Sequence, residues 1–361
     1  MTADRIHRTD RTRRRLLSAA GLGITMAVLL GACPKDRDGA DAPPPPADYK
    51  ARALAELGVA APWGGAELVP GDVNTPGWED SAYIAPDGKT LYLQYFSGDM
   101  FRLEEMFKYH RPKSQGGLGA DPALRQRYHK GPVRGVNPEY TSDVLVFELQ
   151  GDAFRNPRRF AYSRDGRNEW GVMIGNDGAA YYVSHDPARE MNMDIYRNEQ
   201  LLPIPGRDKY NEDNPHFVAS VHGRELFFDS GNRPQSQGKS HIWVTRESSG
   251  QWSEPEMLPA PINQPGSTEV QPHVAADGTM YFTSSRDGTI SLYAAPRTGR
   301  DSWGPPRKLV WPTRKSGPRV WGVGEPTLTA DGQWMYFVVV FDDGQQRFDA
   351  DVARVRHAPA R

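Results

Sequence analysis

The strongest constraint on the fold is a phrase that recurs along the chain: a glycine turn, usually Asp-Gly, followed by a strand of apolar and aromatic residues. Its copies are IAPDGKTLYLQY (84–95), IGNDGAAYYVS (174–184), VASVHGRELFFDS (218–230), VAADGTMYFTSS (274–285) and LTADGQWMYFVV (328–339). Glycine adopts the positive φ that a tight hairpin turn needs, and an Asp before it can accept a hydrogen bond from its own backbone. A hairpin repeated in this way predicts an all-β repeat architecture.

The spacing of the turn glycines predicts the number of repeats. These glycines are Gly88, Gly178, Gly223, Gly278 and Gly332, so the intervals are 90, 45, 55 and 54 residues. Four-stranded propeller blades run about 40–45 residues, so each of the last three intervals fits one blade with modest loops. The first interval is too long by about one blade, and residues 98–141 lack the phrase. We therefore predict an insertion at 98–141 within the first blade.

The two ends of the repeat region complement each other. Trp252 and Trp303 each begin a stretch that we assign to an outer strand, and related wording begins at Trp63, before the first turn. The C-terminal repeat, in contrast, ends after its third strand, so we expect residues 63–70 to supply the missing fourth. The predicted fold is an all-β, five-bladed β-propeller over residues 61–357, closed by an N-terminal outer strand that pairs with the last, C-terminal blade.

The N-terminus has the pattern of an export signal. Arg13, Arg14 and Arg15 precede an apolar run over 16–30, which is shorter than the roughly 20 residues that span a bilayer. Cys33 follows where a bacterial lipobox places its lipid-accepting thiol. We predict a lipoprotein signal peptide at 1–32, a lipidated Cys33 with a Pro-rich tether at 33–60, and an exported protein anchored to a membrane, facing the periplasm or cell surface. The Sec and twin-arginine routes both stay open, as does the choice of membrane.

Charge and cysteine content exclude two classes of function. The chain has 44 Lys+Arg against 45 Asp+Glu, whereas general nucleic-acid binding needs a basic surplus to neutralise phosphates. Cys33 is the only cysteine, so disulfides and cysteine-based metal sites are excluded.

The fourth repeat carries a more specific resemblance. After Trp252 it has EVQP (269–272), the turn DG (277–278) and SSRDG (284–288). In this order the motifs resemble the PD40 (WD40-like, TolB-type) β-propeller repeat, over roughly residues 61–355. The sequence departs from that pattern at His222-Gly223 and at the insertion. The resemblance implies a propeller, a fold that serves scaffolds, binding modules and enzymes alike.

A glutamate recurs where the predicted innermost strands begin. Aligning the repeats places Glu79, Glu169, Glu212, Glu269 and Glu325 near one mouth of the central channel, with the last offset by two residues. Neighbouring carboxyl groups raise one another's pKa and can serve as the acid and base of glycoside hydrolysis. Because a side chain that recurs with the repeat is typical of structural support, we interpret these glutamates as supports, with catalysis as the alternative.

Histidines are the candidate metal ligands. His216 and His273 follow the repeat prolines, and His185 ends the second strand of the second blade. Histidines that converge with a carboxylate can hold a divalent metal, but the chain lacks a close His-x-x-x-His pair. We therefore expect no cofactor, with a divalent metal ion as the alternative.

Aromatic residues and one arginine are the candidate binding residues. Trp78, Trp170 and Trp321 come just before innermost strands, where their faces can stack on sugars or peptide side chains, with packing between blades as the alternative. Arg286 lies in the hairpin of the fourth blade, where it braces the turn or binds an anion.

These observations favour recognition over catalysis. We expect a cell-envelope lipoprotein whose propeller is a non-enzymatic binding or scaffold module for a protein or envelope polymer, with the membrane as a second partner through Cys33. The insertion at 98–141 is the expected source of specificity, because loops on rigid scaffolds carry function. The alternative is a carbohydrate-active hydrolase or lyase that uses the channel-mouth glutamates, with or without a histidine-bound metal.

Overall fold

The computed structural model describes residues 46–97, 142–164, 167–185, 193–345 and 347–358. The predicted signal peptide, Cys33 and the insertion at 98–141 lie outside these residues. The structure is all-β, with 53% strand and 4% helix. Within the described ranges, none of the helices has the length and apolar character that crossing a membrane requires.

Among the described residues, the elements are short strands that follow one α-helix. They are α1 (Tyr49–Ala55), β1 (Gly58–Val59), β2 (Glu67–Leu68), β3 (Trp78–Ile84), β4 (Thr90–Phe96), β5 (Asp143–Gln150), β6 (Ala153–Arg159), β7 (Asn168–Ile174), β8 (Ala180–His185), β9 (Asp194–Arg197), β10 (Gln200–Leu201), β11 (Asp213–Ser220), β12 (Gly223–Ser230), β13 (His241–Ser248), β14 (Gln251–Trp252), β15 (Glu256–Met257), β16 (Glu269–Val274), β17 (Met280–Ser284), β18 (Ser291–Ala295), β19 (Arg297–Gly299), β20 (Ser302–Trp303), β21 (Arg307–Trp311), β22 (Arg319–Leu328), β23 (Trp334–Asp342) and β24 (Phe348–Arg356). A 3₁₀ turn occupies Pro234–Ser236.

Consecutive strands pair as antiparallel meanders. The neighbours are β3-β4-β5-β6, then β7-β8-β9-β10, then β11-β12-β13 with β14 and β15, then β16-β17-β18-β21, and finally β22-β23-β24. Each predicted glycine turn joins the first two strands of one meander, and these five glycines have φ between 65° and 106°. The positive φ expected of the turns is therefore confirmed. A parallel bridge from Ala350 to Trp78 also joins β24 to β3.

The N-terminal segment pairs with the last two meanders. Strand β2 pairs antiparallel with β24, with Glu67 opposite Arg354 and Leu68 opposite Ala353, and β1 pairs with β21. Trp63 makes a further bridge to His357. Two stretches far apart in sequence thus share one sheet.

Helix α1 and strand β1 fall within the stretch predicted as a tether, and both pack on the β-structure. The Lys50 Nζ lies 2.6 Å from carboxylate oxygens of both Asp349 and Asp351. The ring of Tyr49 packs edge-on against Phe341, with centroids 6.1 Å apart. The part of 33–60 that the structure describes is therefore folded against the last two meanders.

The strands that begin the meanders, β3, β7, β11, β16 and β22, are called the inner strands below. Each contacts the next in that order, and β22 contacts β3. The second strands are buried along most of their length because neighbouring sheets cover both of their faces. In β23, for example, all residues after Trp334 are buried, and this burial is the main source of stability.

Candidate functional site

Each inner strand contains a bulge at the same place, and β22 has a second register shift near its start. The residue at the bulge has a left-handed backbone in every case, with φ of 50°, 60°, 47°, 57° and 58°, and the register between first and second strands shifts there. The five bulge residues, called the hub residues below, are Ser81, Gly171, Asn214, Gln271 and Glu325. Non-glycine residues rarely adopt positive φ, and a bulge re-aims a side chain away from the strand's ordinary alternation.

The hub residues form hydrogen bonds that connect different meanders. The Ser81 hydroxyl and the Gln271 amide both donate to Glu325 Oε1, at 3.3 and 2.9 Å. The Gln271 backbone N–H and the Asn214 amide both donate to Oδ1 of Asp229 on β12, each at 3.0 Å. Residues from four successive meanders therefore form one polar network.

Two further carboxyl groups directly precede hub residues. The indole N–H of Trp78 donates to Asp80 at 3.0 Å, and that of Trp170 donates to Asp213 at 2.6 Å. The network thus holds the carboxyl groups of Asp80, Asp213, Asp229 and Glu325. Within the described part of the chain, Asp80, Asp229 and Glu325 have no ion pair with Lys or Arg, so neutral donors and protons must satisfy them.

The environment keeps a proton on Glu325. Burial raises the pKa of Glu325 well above its ordinary value, and the charges of Asp80 and Asp213 raise it further. Burial also raises the pKa of Asp80, although the neighbouring Glu325 and the Trp78 indole oppose this effect. The favoured arrangement is a neutral Glu325 beside an ionised Asp80. A carboxylic acid held protonated beside a carboxylate is the usual basis of general acid catalysis.

The hub residues line a small cavity that adjoins a large one. The small cavity, about 50 Å³, includes Glu325 in its lining. The large cavity, about 680 Å³, lies at the turn ends of the inner strands. Both cavities are lined by Tyr83, Met173, His216 and His273, so they meet there. The Glu325 Oε2 atom has no hydrogen-bond partner among the described residues.

Two of the three candidate metal ligands come together where the cavities meet. The rings of His216 and His273 lie 4.6 Å apart between centroids. Burial lowers the pKa of His216 to about 4 and that of His273 well below its ordinary value, so both are neutral at pH 7. His185 instead lies beside Asn168, at 3.5 Å. Over the described ranges, no group of three or more His, Cys, Asp or Glu side chains could hold a metal ion.

The other four predicted glutamates lie outside the hub network, and each binds either the loop that leads into its inner strand or a nearby arginine. Glu79 accepts hydrogen bonds from Thr75, Glu169 from Arg164 N–H and Ser184, and Glu269 from Gln264 N–H, Ser267 and Ser284, while Glu212 pairs with Arg233. Burial raises the pKa of Glu169 to about 7. In contrast, hydrogen bonds from His241 and Ser267 outweigh burial and lower the pKa of Glu269.

The predicted binding residues do not line either cavity. Trp78 and Trp170 are buried, and their indoles hold Asp80 and Asp213. Trp321 packs edge-on against Phe348, with centroids 5.9 Å apart. Arg286 donates to the carbonyl oxygens of residues 261 and 262, so it braces the fourth meander.

Sequence reasoning missed Asp80, Asp213 and Asp229 because the repeat alignment drew attention to the preceding glutamates. One sequence signal for the hub position was present in three repeats. The hub residues Asn214, Gln271 and Glu325 each stand directly before a proline. That proline marks the bulge, and the hub position is where the repeats differ chemically.

Known proteins resemble this chain in fold and not in sequence. No protein-family model matches this chain, and no curated protein matches it. Among solved structures, the complex of BT0996 with RGII is similar with a TM-score of 0.51 at 11% identity, over 82% of this chain and 92% of that one. A structure named "Glycoside hydrolase" gives 0.46 at 11%, over 84% and 95%. The endo-arabinase from Bacteroides thetaiotaomicron VPI-5482 gives 0.42 at 11%, over 79% and 95%. At these identities the likeness concerns the fold.

These neighbours correct three expectations. They are β-propeller glycoside hydrolases, so the identification as a PD40 (TolB-type) repeat protein is wrong. The expected non-enzymatic scaffold and the expected lack of catalysis are wrong for the same reason. The repeated sequence indicates hairpin turns and buried strands, and any propeller of this kind needs both. The side chains that recur with the repeat are the supporting glutamates. The hub residues, in contrast, differ from one repeat to the next. Lipidation of Cys33 stays a prediction.

Proposed function

We propose that this chain is a carbohydrate-active enzyme that hydrolyses glycosidic bonds, with Glu325 as the proton donor. The scaffold would be a closed, five-bladed β-propeller. Two observations support that closure: the inner strands contact one another in cyclic order, and β2 pairs with β24. The similarity in fold to the structure of BT0996 with RGII supports a propeller as well.

The observation that carries the proposal is the chemistry of the hub position. Equivalent bulges present serine, glycine, asparagine, glutamine and, in β22 alone, an ionisable glutamate. A supporting residue would recur with the repeat, whereas a catalytic residue needs to occur once. Glu325 also lines the small cavity, which meets the large one, and carries a raised pKa, as a general acid requires.

In hydrolysis, Glu325, Asp213 and Asp80 would each have a separate role. Glu325 would protonate the glycosidic oxygen while the bond from that oxygen to the anomeric carbon breaks. A water molecule would attack the anomeric carbon and pass its proton to Asp213, whose charge acts on Glu325. Asp80 would hold the Glu325 proton in place beforehand. One sugar product thus gains a hydrogen atom and the other gains the hydroxyl group of the water.

A matched pair of variants tests this assignment. The full chain and its variants are incubated with RGII, arabinan and arabinoxylan, and the release of reducing sugar is measured. Glu325→Gln should lower kcat by about 10²–10⁴-fold, because the amide cannot donate the proton. Glu269→Gln, the same change at a supporting glutamate, should keep kcat per folded molecule.

Two results would contradict the proposal. One is the absence of hydrolysis by the folded parent protein on every saccharide tested. The other is full activity in Glu325→Gln. Activity should also decline as pH rises through the elevated pKa of Glu325, because only the protonated acid is active.

Export and anchoring are a separate proposal that the N-terminal sequence supports. We propose that Cys33 is lipidated after removal of residues 1–32, which would hold the enzyme at a membrane outside the cytoplasm. Labelling with radioactive palmitate should mark the parent protein. A Cys33→Ser variant should lose the label and the membrane association, and labelling that persists in this variant would contradict the proposal.

A further inference from the structure

The large cavity is blind, and we propose that it admits only the end of a saccharide chain. The enzyme would therefore remove sugars from chain termini rather than cut within a polymer. This inference rests on the proposed function and specifies its substrate. It follows from the floor, the wall and the size of the cavity.

The floor is closed by the hub network. Hydrogen bonds from Ser81 and Gln271 to Glu325, and from the Gln271 backbone N–H to Asp229, tie different meanders together across the space between the inner strands. The space left there is about 50 Å³, enough for only a few water molecules. A polysaccharide strand therefore cannot thread past Glu325.

The wall is continuous because every inner strand contributes to it. The turns after the five inner strands, or the strand ends beside them, line the large cavity at Pro86, Asn176, Val218, Ala276 and Gly332. A groove for the middle of a polymer needs two open sides, and the described residues of this ring leave none. A saccharide can enter only from the rim.

The two ends of the folded chain complete this wall. Trp63 and His357 line the cavity, and their rings meet edge-on with centroids 5.2 Å apart. Backbone bonds hold the junction, from Gly64 N–H to the Arg356 carbonyl at 2.8 Å and from Ala358 N–H to the Pro62 carbonyl at 2.7 Å. The point where an opening would otherwise be expected is thus sealed by hydrogen bonds.

The size and chemistry of the cavity suit a short terminal segment. Its volume of about 680 Å³ falls within the ~300–1,000 Å³ of pockets that enclose a small ligand. His216 and His273 lie where the two cavities meet and are neutral at pH 7. A neutral imidazole has one donor and one acceptor nitrogen. His216 donates through Nε2 to the Val274 carbonyl at 3.1 Å, so its other nitrogen remains as an acceptor for a sugar hydroxyl.

Two readouts test the inference, and only one needs turnover. In the first, the full chain is incubated with arabinan and with RGII, and early products and viscosity are followed together. We expect one small product from the start and almost constant viscosity. In the second, Trp fluorescence of Glu325→Gln is titrated with arabinotetraose and with arabinotetraose blocked at both ends. Blocking should weaken binding at least about tenfold.

Rim variants provide a matched control. Ala276 lies in the cavity lining, so Ala276→Trp should narrow the rim and raise KM about tenfold. Val221, 97% exposed on a hairpin turn outside the lining, gives Val221→Trp as the control with unchanged KM. A rise in KM that is equal in both variants would contradict the inference.

The outcomes separate this inference from the proposed function. A ladder of oligosaccharides with a rapid fall in viscosity would overturn terminal binding and leave hydrolysis standing. Equal binding of free and blocked arabinotetraose, or binding of neither, would also overturn it. Binding that depends on free ends in a protein without any hydrolytic activity would support terminal binding and overturn the catalytic role of Glu325.

Discussion

Glu169 allows a quantitative test of whether a supporting glutamate is held protonated. Its side chain is fully buried, and burial raises its pKa from 4.5 to about 7. Below pH 4.5 both the folded and the unfolded chain hold this proton. Between pH 4.5 and 7 only the folded chain retains it, so stability falls as pH rises, and above pH 7 the effect is constant. At about 1.4 kcal/mol per pH unit, the loss is about 3 kcal/mol.

The Glu169→Gln variant removes this proton equilibrium. Relative to the parent, its free energy of unfolding should therefore increase by about 3 kcal/mol between pH 4.5 and 7, whatever constant cost the amide adds. Urea unfolding at half-unit pH steps, followed by circular dichroism, measures the difference. Glu254 is exposed, so Glu254→Gln should parallel the parent.

A flat difference between Glu169→Gln and the parent across this pH range would refute the reasoning, because it would mean that folding leaves the pKa of Glu169 unchanged. The same variant should keep its hydrolytic activity, since Glu169 supports a loop outside the hub network. Loss of activity in a folded Glu169→Gln protein would show that Glu169 takes part in catalysis.

Three further changes should act on stability. Lys50→Met leaves the buried carboxylate of Asp351 without its ion pair and should cost about 3–5 kcal/mol, which a thermal melt would reveal and which adding Asp351→Asn should largely restore. Gly71→Ala would place a Cβ 2.0 Å from the Phe154 carbonyl oxygen, at φ 109°, so its melting temperature should fall and its expression should drop. Glu269→Gln weakens the hydrogen bonds that Glu269 accepts from Ser267 and Ser284, outside the hub network. Its urea midpoint should fall by an amount equivalent to about 1–3 kcal/mol.

The hairpin repeat was readable from local chemistry. Turn glycines such as Gly88 and Gly278 need a positive φ, and this requirement is visible in the sequence because few other residues tolerate it. The alternation of turns and apolar strands likewise predicted an all-β chain. The pairing of residues near Trp63 with the C-terminal strand was foreseen from a missing strand, and β2 does pair with β24.

The helix at 49–55 was not foreseen, because a prediction of extended tether rested on the prolines before it. What holds α1 is tertiary: Lys50 reaches Asp349 and Asp351, which lie about 300 positions away in the chain. An isolated helix of 7 residues has too few hydrogen bonds to be stable by itself. Its existence therefore depends on a surface that the local sequence does not contain.

The sequence by itself determined the turns, the buried strands and the repeat, because those follow from φ preferences and from hydrophobic patterning over a few neighbouring residues. Only the tertiary structure decided which carboxyl groups meet. Glu79, Glu169, Glu212 and Glu269 bind their own loops or a nearby arginine, whereas the bulges carry Glu325 to Asp80 and close to Asp213. The physical reason is that pKa values depend on burial and on charges brought from distant strands, and neither exists until the sheets have packed.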